Sequence, residues 1–349
     1  MVAVKNCRIL MVVILSASAN LLFAATDMTA TFPPHPDAQL AALRENFVRP
    51  SEVPAPKSNP ITAEKVALGK LLFFDPRLSG SGAISCATCH NPALGWGDGL
   101  ATGIGHMGAH LSRHTPTILN VAYGEPYFWD GRAATLEDQA KGPLTAAKEM
   151  SMSAESALPL LRSIPEYVEA FGRAYPGQAV SLDTIASAIA TYERTVISSQ
   201  APFDRWVNGD AHAISEAAVR GFVLFNGKAD CAVCHATWRM SDDGFHDIGM
   251  RDTDRGRAAV MPGIVQLEHA FKTPTLRNVS LRAPYMHDGS IATLIAVIDH
   301  YDNGFERRPS LDSNIHPLGL TPEEKADLLA FLNTLTSSDE TVQLPSLPR

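Results

Sequence analysis

The sequence predicts a mainly helical, loop-rich protein of two similar domains related by internal duplication. Three observations predict this fold class. A Cys-x-x-Cys-His motif occurs once in each half of the 349-residue chain, and a 22-residue segment is repeated without a gap. Apolar residues recur at helical spacing between loops that are rich in glycine and proline. A chain of this length is expected to form two domains.

Composition and charge exclude several classes of protein. Hydrophobic residues make up 45% of the chain and charged residues 19%, which is typical of a globular protein. The formal net charge of −8 argues against nucleic-acid binding, because such proteins usually carry a basic patch. Beyond the N-terminal region no segment has ~18 uninterrupted apolar residues, so no membrane span is expected there.

Residues 1–25 are predicted to be a secretory signal peptide. Lys5 and Arg8 supply its positive start, and an apolar run begins at Ile9. Cleavage is expected after Ala19 or near Ala25, with an uncleaved anchor helix as the alternative. Loss of the two cationic residues would change the net charge from −8 to −10 (−8 − 2) and leave a periplasmic protein.

Four of the five cysteines form two close pairs, each followed directly by a histidine. The members of the two motifs are Cys86, Cys89 and His90, then Cys231, Cys234 and His235. Two thiols at this spacing can form thioethers with the two vinyl groups of one haem, and the histidine then ligates the iron. A thioredoxin-like redox pair does not need the histidine, and a zinc site needs a further ligand. The sequence therefore predicts two covalently bound haem c groups in two cytochrome c-like domains.

The duplication is visible in residues 115–136 and 273–294, which are identical at 12 of 22 positions. Each copy follows its own haem motif, so each half of the chain is predicted to be one haem domain. The predicted ranges are 61–205 and 206–349, with a boundary in the polar stretch 204–213 and an extended arm over 26–60. Helices are predicted over 181–197 and after Thr321, which is the expected N-cap, with Pro322 in the first turn and Glu324 completing a capping box.

The chain resembles the bacterial di-haem cytochrome c peroxidases, a family that includes the MauG-type enzymes, which mature a tryptophan-derived quinone in a partner protein. The resemblance covers residues 62–335 and rests on the runs CATCHNPALGWGDG, GIGHMG, TPTILN, FWDGRA, LEDQAKGP, KEM, CAVCH and FKTPTLRN. It implies that the haem on His90 reacts with hydrogen peroxide. The haem on His235 would accept electrons from a small cytochrome c or a copper protein (a cupredoxin). It also implies a homodimer.

His106 matches the residue that ligates the distal face of the peroxidatic haem in the resting enzymes of this family. It lies in a glycine-rich stretch, residues 103–108, that could move to open the iron. Met107, His110 and His114 lie close by in the sequence and are alternative ligands. The simplest alternative is that His106 is a loop histidine with no ligand role.

Three residues match the family's catalytic positions. Glu149 matches the acid that moves a proton between the two oxygens of peroxide, a form of catalysis worth roughly 10²–10⁴-fold. Gln139 matches a hydrogen-bonding partner of the bound peroxide, and Trp129 matches the aromatic residue between the two haems. The alternatives are a surface carboxylate, a polar helix residue and a buried core tryptophan, respectively.

The second haem departs from the usual pattern of the peroxidases. Tyr301 stands where those enzymes have an axial methionine, seven residues after Leu294, and this resembles the MauG type. A phenolate favours oxidised iron, whereas a thioether favours ferrous iron. Axial ligands set haem potentials over about 0.8 V, so the exchange is large. Met286 and His300 are the alternative ligands.

The resemblance also implies a calcium ion between the domains, held by an asparagine and by the carbonyl groups that correspond to Arg282 and Pro284. His114 occupies the asparagine position. Because calcium prefers oxygen ligands, an imidazole is a poor substitute, and calcium is therefore a doubtful cofactor of this chain.

Three functions follow as expectations. The first is a cytochrome c peroxidase that reduces hydrogen peroxide to water with electrons from a small periplasmic redox protein. The second is a MauG-like oxidase that uses peroxide to modify a partner protein, favoured by Tyr301 and opposed by His106. The third is a non-catalytic electron-transfer cytochrome, against which the set Trp129, Gln139 and Glu149 argues.

Overall fold

The computed structural model describes residues 36–349, so the predicted signal peptide lies outside the described residues. The helices that precede the second haem motif are α1 (Pro36–Glu45), α2 (Ala63–Phe74), α3 (Cys86–Cys89), α4 (Leu136–Thr145), α5 (Ala154–Ser163), α6 (Pro165–Ala174), α7 (Leu182–Glu193), α8 (Pro202–Val207) and α9 (Glu216–Asn226). After that motif come β1 (Phe245–His246), β2 (Phe271–Lys272), α10 (Leu294–Asp299) and α11 (Pro322–Asn333). The two short strands pair antiparallel. The prediction of a mainly helical, loop-rich fold is confirmed.

The first half is built on the crossing of α2 and α7. Gly69 permits the close approach, because a Cβ there would lie 1.9 Å from the Ala188 carbonyl oxygen. The predicted helix over 181–197 begins as expected, with Ser181 as its N-cap, and ends four residues earlier at Glu193. Its predicted apolar face, with Ile185 and Ile189, is buried in this core.

The second half repeats this arrangement with α9 and α11. Gly221 lies against α11, where a Cβ would come within 2.0 Å of the Asp327 carbonyl oxygen. The predicted capping box at the start of α11 is present, with Thr321 accepting from the Glu324 N–H and the Glu324 carboxylate accepting from the Thr321 N–H. Each half therefore has its own core, in which two helices pack closely at a glycine.

The backbone of the 22-residue repeat is the same in both halves. Asn120 and Asn278 both take left-handed conformations, with φ of 60° and 55°, and each precedes a short 3₁₀ helix. Thr135 and Thr293 then cap the helices α4 and α10. Equivalent residues thus take equivalent conformations, as a duplicated domain requires.

The segment predicted to be an extended arm contains a helix. Leu40 and Leu43, three residues apart on α1, pack with the buried Phe47 against the core of the second half. The arm is therefore helical where its apolar residues can be buried. The prolines on either side had favoured an extended segment over this helical pattern in the sequence.

The stretch predicted to hold the domain boundary is part of a core. Phe203 and Trp206 on α8 are buried in the second core, and the Asp204 carboxylate pairs with the buried Arg277 guanidinium at 2.8 Å. The first core reaches as far as Val196. The division at residue 205 stays a prediction.

Within residues 36–349, none of the helices has both the length and the apolar character that crossing a membrane would require.

Candidate haem sites and active site

The first motif is held in a short helical turn. The Ser85 N–H donates to the Thr88 hydroxyl at 2.9 Å, and the Thr88 N–H donates to the Ser85 carbonyl at 3.0 Å, which holds Cys86 and Cys89 at the two ends of α3. The His90 Nδ1 donates to the Trp96 carbonyl oxygen at 3.2 Å. Burial lowers the pKa of His90, so the ring is neutral. A neutral imidazole that donates from Nδ1 leaves Nε2 free for a metal, as haem-ligating histidines require.

The second motif repeats this geometry. A 3₁₀ turn, Cys231–Val233, begins the motif, and the His235 Nδ1 donates to the Met240 carbonyl oxygen at 2.8 Å. Burial lowers the pKa of His235 as well. The four thiols, Cys86, Cys89, Cys231 and Cys234, are free and partly buried.

One cavity of about 870 Å³ joins the two motifs. The motif cysteines and both histidines line it, and so do the segments 115–119 and 273–276 of the repeat. The two sites therefore open into one continuous space that spans both halves of the chain.

The predicted catalytic residues Gln139, Glu149 and Trp129 line this cavity. Gln139 is on α4, one turn before Pro143, and Glu149 follows the end of that helix. Burial raises the pKa of Glu149, and the positive charge of Arg132 opposes this rise. A partly buried carboxyl of this kind can hold a proton at a higher pH than an exposed one.

His106 does not line the cavity. Its ring faces Gly80, where a Cβ would lie 3.3 Å from the His106 Cε1, and its Nδ1 is buried without a hydrogen-bond partner among the described residues. Its backbone N–H donates to the Glu149 carbonyl at 2.7 Å. Iron ligation by His106 stays a prediction. His110 and His114 line the cavity instead.

Trp129 lies where the two halves meet. Its indole N–H donates to the His114 carbonyl at 2.9 Å, and its backbone carbonyl accepts from the Lys272 N–H at 2.8 Å. The His287 ring meets the indole edge to face and stacks on Phe271 with centroids 3.6 Å apart. Trp129 therefore contacts the second half through both its side chain and its backbone.

Tyr301 lines the cavity beside the second motif, in a π-helical turn, His300–Gly304, that follows α10. Burial raises the pKa of its phenol. The alternative ligand His300 faces away, because its Nε2 donates to the Ile248 carbonyl at 2.8 Å and it does not line the cavity. Met286 does line the cavity, so ligation by Tyr301 stays a prediction with one alternative.

Two family models match the chain in series. Residues 63–212 match the di-haem cytochrome c peroxidase model, and residues 218–336 match that of cytochrome c. The methylamine utilization protein MauG of Methylorubrum extorquens is 50% identical over 88% of this chain and 88% of its own length. The chain belongs to the di-haem cytochrome c peroxidase family.

Two further members are similar over most of their length. The cytochrome-c peroxidase IdrP1 of a Pseudomonas species is 39% identical over 85% of this chain and 87% of its own. The crystal structure of a MauG-like protein associated with microbial copper homeostasis superposes with a TM-score of 0.77, at 34% identity, over 84% of this chain and 96% of that one.

Membership of this family implies two covalently bound haem c groups, and the residues described above fit them. Each motif offers two free thiols and a histidine whose Nδ1 donates to a backbone carbonyl, so that Nε2 is the ring atom available for iron. Cys234 also lies within 4.8 Å of Asp242 and His246, a set that resembles a metal site. A thioether at Cys234, as haem c attachment would require, would remove the thiolate from this set.

Residue 114 is a histidine and so offers no side-chain oxygen as a ligand for the expected calcium ion. The His114 Nδ1 donates to the Leu100 carbonyl at 2.8 Å, so the imidazole already acts as a hydrogen-bond donor within its own loop. Its backbone N–H donates to the His287 carbonyl at 2.7 Å. This second bond joins the two halves where the family resemblance implies calcium.

Sequence reasoning missed two titratable residues in the cavity wall. Glu193 is buried, its Oε2 has no partner among the described residues, and burial raises its pKa to about 8. His246 bonds Asp242 at 2.9 Å and Asp312 at 2.6 Å, and the hydrogen bond to Asp242 is the main reason that its pKa rises to about 11. A glutamate four residues after Ile189 on an apolar helix face was the available signal for the first.

Proposed function

We propose that this protein is a MauG-type di-haem oxidase, which uses peroxide to oxidise residues of a partner protein. The observation that carries the proposal is Tyr301 in the cavity wall beside the second haem motif, where the family's peroxidases use methionine. A phenolate at this position favours oxidised iron and disfavours uptake of electrons from a donor. We therefore rank this function above the cytochrome c peroxidase that the sequence alone favoured.

The cavity residues support peroxide chemistry at the first haem. When bound, this haem supplies an iron that binds peroxide and accepts oxidising equivalents. Glu149 has a pKa raised by burial, so it can take a proton from one peroxide oxygen and return it to the other. Gln139, one turn before Pro143 on α4, offers an amide that can hold the peroxide in place.

The partner is inferred from the same resemblance. The relative of 50% identity is named a methylamine utilization protein, and we propose a protein of methylamine oxidation as the substrate. Oxidising equivalents would leave through the second half of the molecule, because Trp129 contacts both halves. Export to the periplasm, after cleavage of residues 1–25, is part of this proposal.

The test is the absorption spectrum of the ferric protein after treatment with peroxide, followed over time. We expect an altered absorption spectrum that persists without a partner, together with slow turnover when a reduced small cytochrome is the donor. In Tyr301→Met the altered spectrum should decay faster, since a thioether favours the ferrous state. Tyr285→Phe is the matched control, because Tyr285 lines the same cavity and its hydroxyl donates to the Val279 carbonyl.

A cytochrome c peroxidase is the second candidate, favoured by the glycine-rich loop of His106 and by the relative IdrP1. It would be established by rapid peroxide-dependent oxidation of a reduced cytochrome or copper protein, with fast decay of the altered spectrum. That outcome would reject the MauG-type proposal. Failure to bind cyanide or peroxide in any redox state would instead support a plain electron-transfer cytochrome.

A further inference from the structure

Arg282 is a cation at the domain interface without an acidic partner among the described residues. Among residues 36–349, its guanidinium donates only to backbone carbonyls: Nη2 to Thr275 at 2.7 Å and to Arg277 at 2.9 Å, and Nε to Asn278 at 3.3 Å. The residue nevertheless lines the cavity that joins the two haem motifs.

The other cations deep in the cavity wall are paired. Arg113 bonds Asp130 and Asp254, each at 2.7 Å. Lys272 bonds Asp243 at 2.7 Å, and Arg239 bonds the same carboxylate. Arg282 thus differs from these residues in lacking a carboxylate within ion-pair distance in the described part of the chain.

Burying a charged side chain without an acidic partner costs free energy. Burial lowers the pKa of Arg282 to about 10. A desolvated guanidinium is best matched by a carboxylate, with which it forms two parallel hydrogen bonds. Haem brings carboxylates into this cavity, because each porphyrin carries two propionates.

The first half makes room for arginines of the second half. A Cβ on Gly95 would lie 2.9 Å from the Arg282 Cγ, and a Cβ on Gly124 would lie 2.6 Å from the Arg239 Cζ. Gly124 is the counterpart of Arg282 in the repeat, because the two aligned segments are offset by 158 residues and these positions differ by the same number.

Gly95 and Arg239 also occupy corresponding positions in the two halves. Gly95 precedes the Trp96 carbonyl that accepts from His90, just as Arg239 precedes the Met240 carbonyl that accepts from His235. The two contacts are therefore related by the internal symmetry: each arginine of the second half fills the space beside a glycine of the first.

We propose that Arg282 binds a propionate carboxylate of the haem attached to the second motif. Hydrogen bonds connect Arg282 to the segment that orients His235, the histidine of the second motif. The Thr275 carbonyl accepts from Arg282, the Thr275 hydroxyl donates to the Arg239 carbonyl at 2.6 Å, and the adjacent Met240 carbonyl accepts from His235. This inference needs only the bound haem and is independent of the reaction proposed above.

The test is the midpoint potential of each haem in the holoprotein, measured by spectroelectrochemistry. A cation beside a propionate stabilises the more negative ferrous haem, so Arg282→Gln should lower the potential of the second haem. We expect about a tenfold change in its ferric-to-ferrous ratio at fixed potential, which is about 59 mV for one electron. Arg282→Lys keeps the charge and should restore most of the shift.

Arg220→Gln is the matched control, because Arg220 is exposed and pairs with Asp327 on the surface. A shift in Arg282→Gln no larger than in this control overturns the proposal, and a shift confined to the first haem overturns the assignment to the second. If Arg282→Gln does not accumulate with two haems, Arg282→Lys decides by redox-induced infrared difference spectroscopy. Its propionate carboxylate band should be displaced from that of the wild type, and an unchanged band refutes the contact.

Discussion

The indole of Trp129 and the imidazole of His287 meet edge to face across the boundary between the two halves, with ring centroids 6.5 Å apart. The two residues occupy the same position in the two copies of the repeat. The duplicated loops therefore face each other, and each contributes an aromatic ring to the space between the haem motifs. His287 is buried, and its Nε2 lies 3.4 Å from the Asp252 carboxylate.

Trp129→Phe should slow electron transfer between the two haems without stopping the reaction with peroxide. Phenylalanine is harder to oxidise than an indole, and it cannot donate to the His114 carbonyl. Rapid-mixing absorption spectroscopy should show the first haem reacting at its usual rate while the change at the second haem is delayed. Trp206→Phe, in the second core and away from the cavity, should leave both rates unchanged; equal rates in Trp129→Phe would remove this residue from the path.

Glu149→Gln should lower the rate of the peroxide reaction by about 10²–10⁴-fold, because the amide cannot carry a proton between the two oxygens. Haem content and the unfolding midpoint should stay close to those of the wild type. The measurement is the second-order rate constant for peroxide by stopped flow. Glu166→Gln, an exposed carboxylate at the start of α6, is the control. A variant within twofold of the wild-type rate would show that another group performs the proton transfer.

Replacing both cysteines of one motif should remove one haem and leave the other. Cys231→Ser with Cys234→Ser should therefore give an exported protein with one covalent haem, detected by intact mass and by denaturing-gel haem stain. The reciprocal change at Cys86 and Cys89 should do the same for the first site, since each core is sealed by its own helix crossing. Retention of two covalent haems in either double variant would contradict the attachment chemistry.

Asp204→Asn should destabilise the second half strongly. The Asp204 carboxylate pairs with Arg277 at 2.8 Å, and both side chains are almost fully buried. Removing one partner of a buried pair leaves an uncompensated charge and costs about 3–5 kcal/mol. Urea unfolding followed by absorbance of the second haem measures the loss. Asp327→Asn breaks the exposed pair with Arg220 and should cost about 0–1 kcal/mol; equal losses in the two variants would refute the argument.

Some features of the fold were accessible because they are encoded locally. The capping box at Thr321 depends on residues within one turn, and it is present as predicted. The helix over 181–197 was recognised from its apolar spacing, although its last turn is absent. Within the arm that was expected to be extended, Pro36–Glu45 form a helix, because a core that lies far away in the sequence stabilises it.

By itself the sequence determined that this chain carries two haem motifs in duplicated helical domains, because thioether attachment and its histidine need only five consecutive residues. Only the tertiary structure decided which side chains share the cavity between them. It brought Tyr301 to the second motif, kept His106 off the cavity wall and laid Arg282 against Gly95. These relationships depend on how two cores pack together, and the spacing of residues within one segment carries no information about that packing.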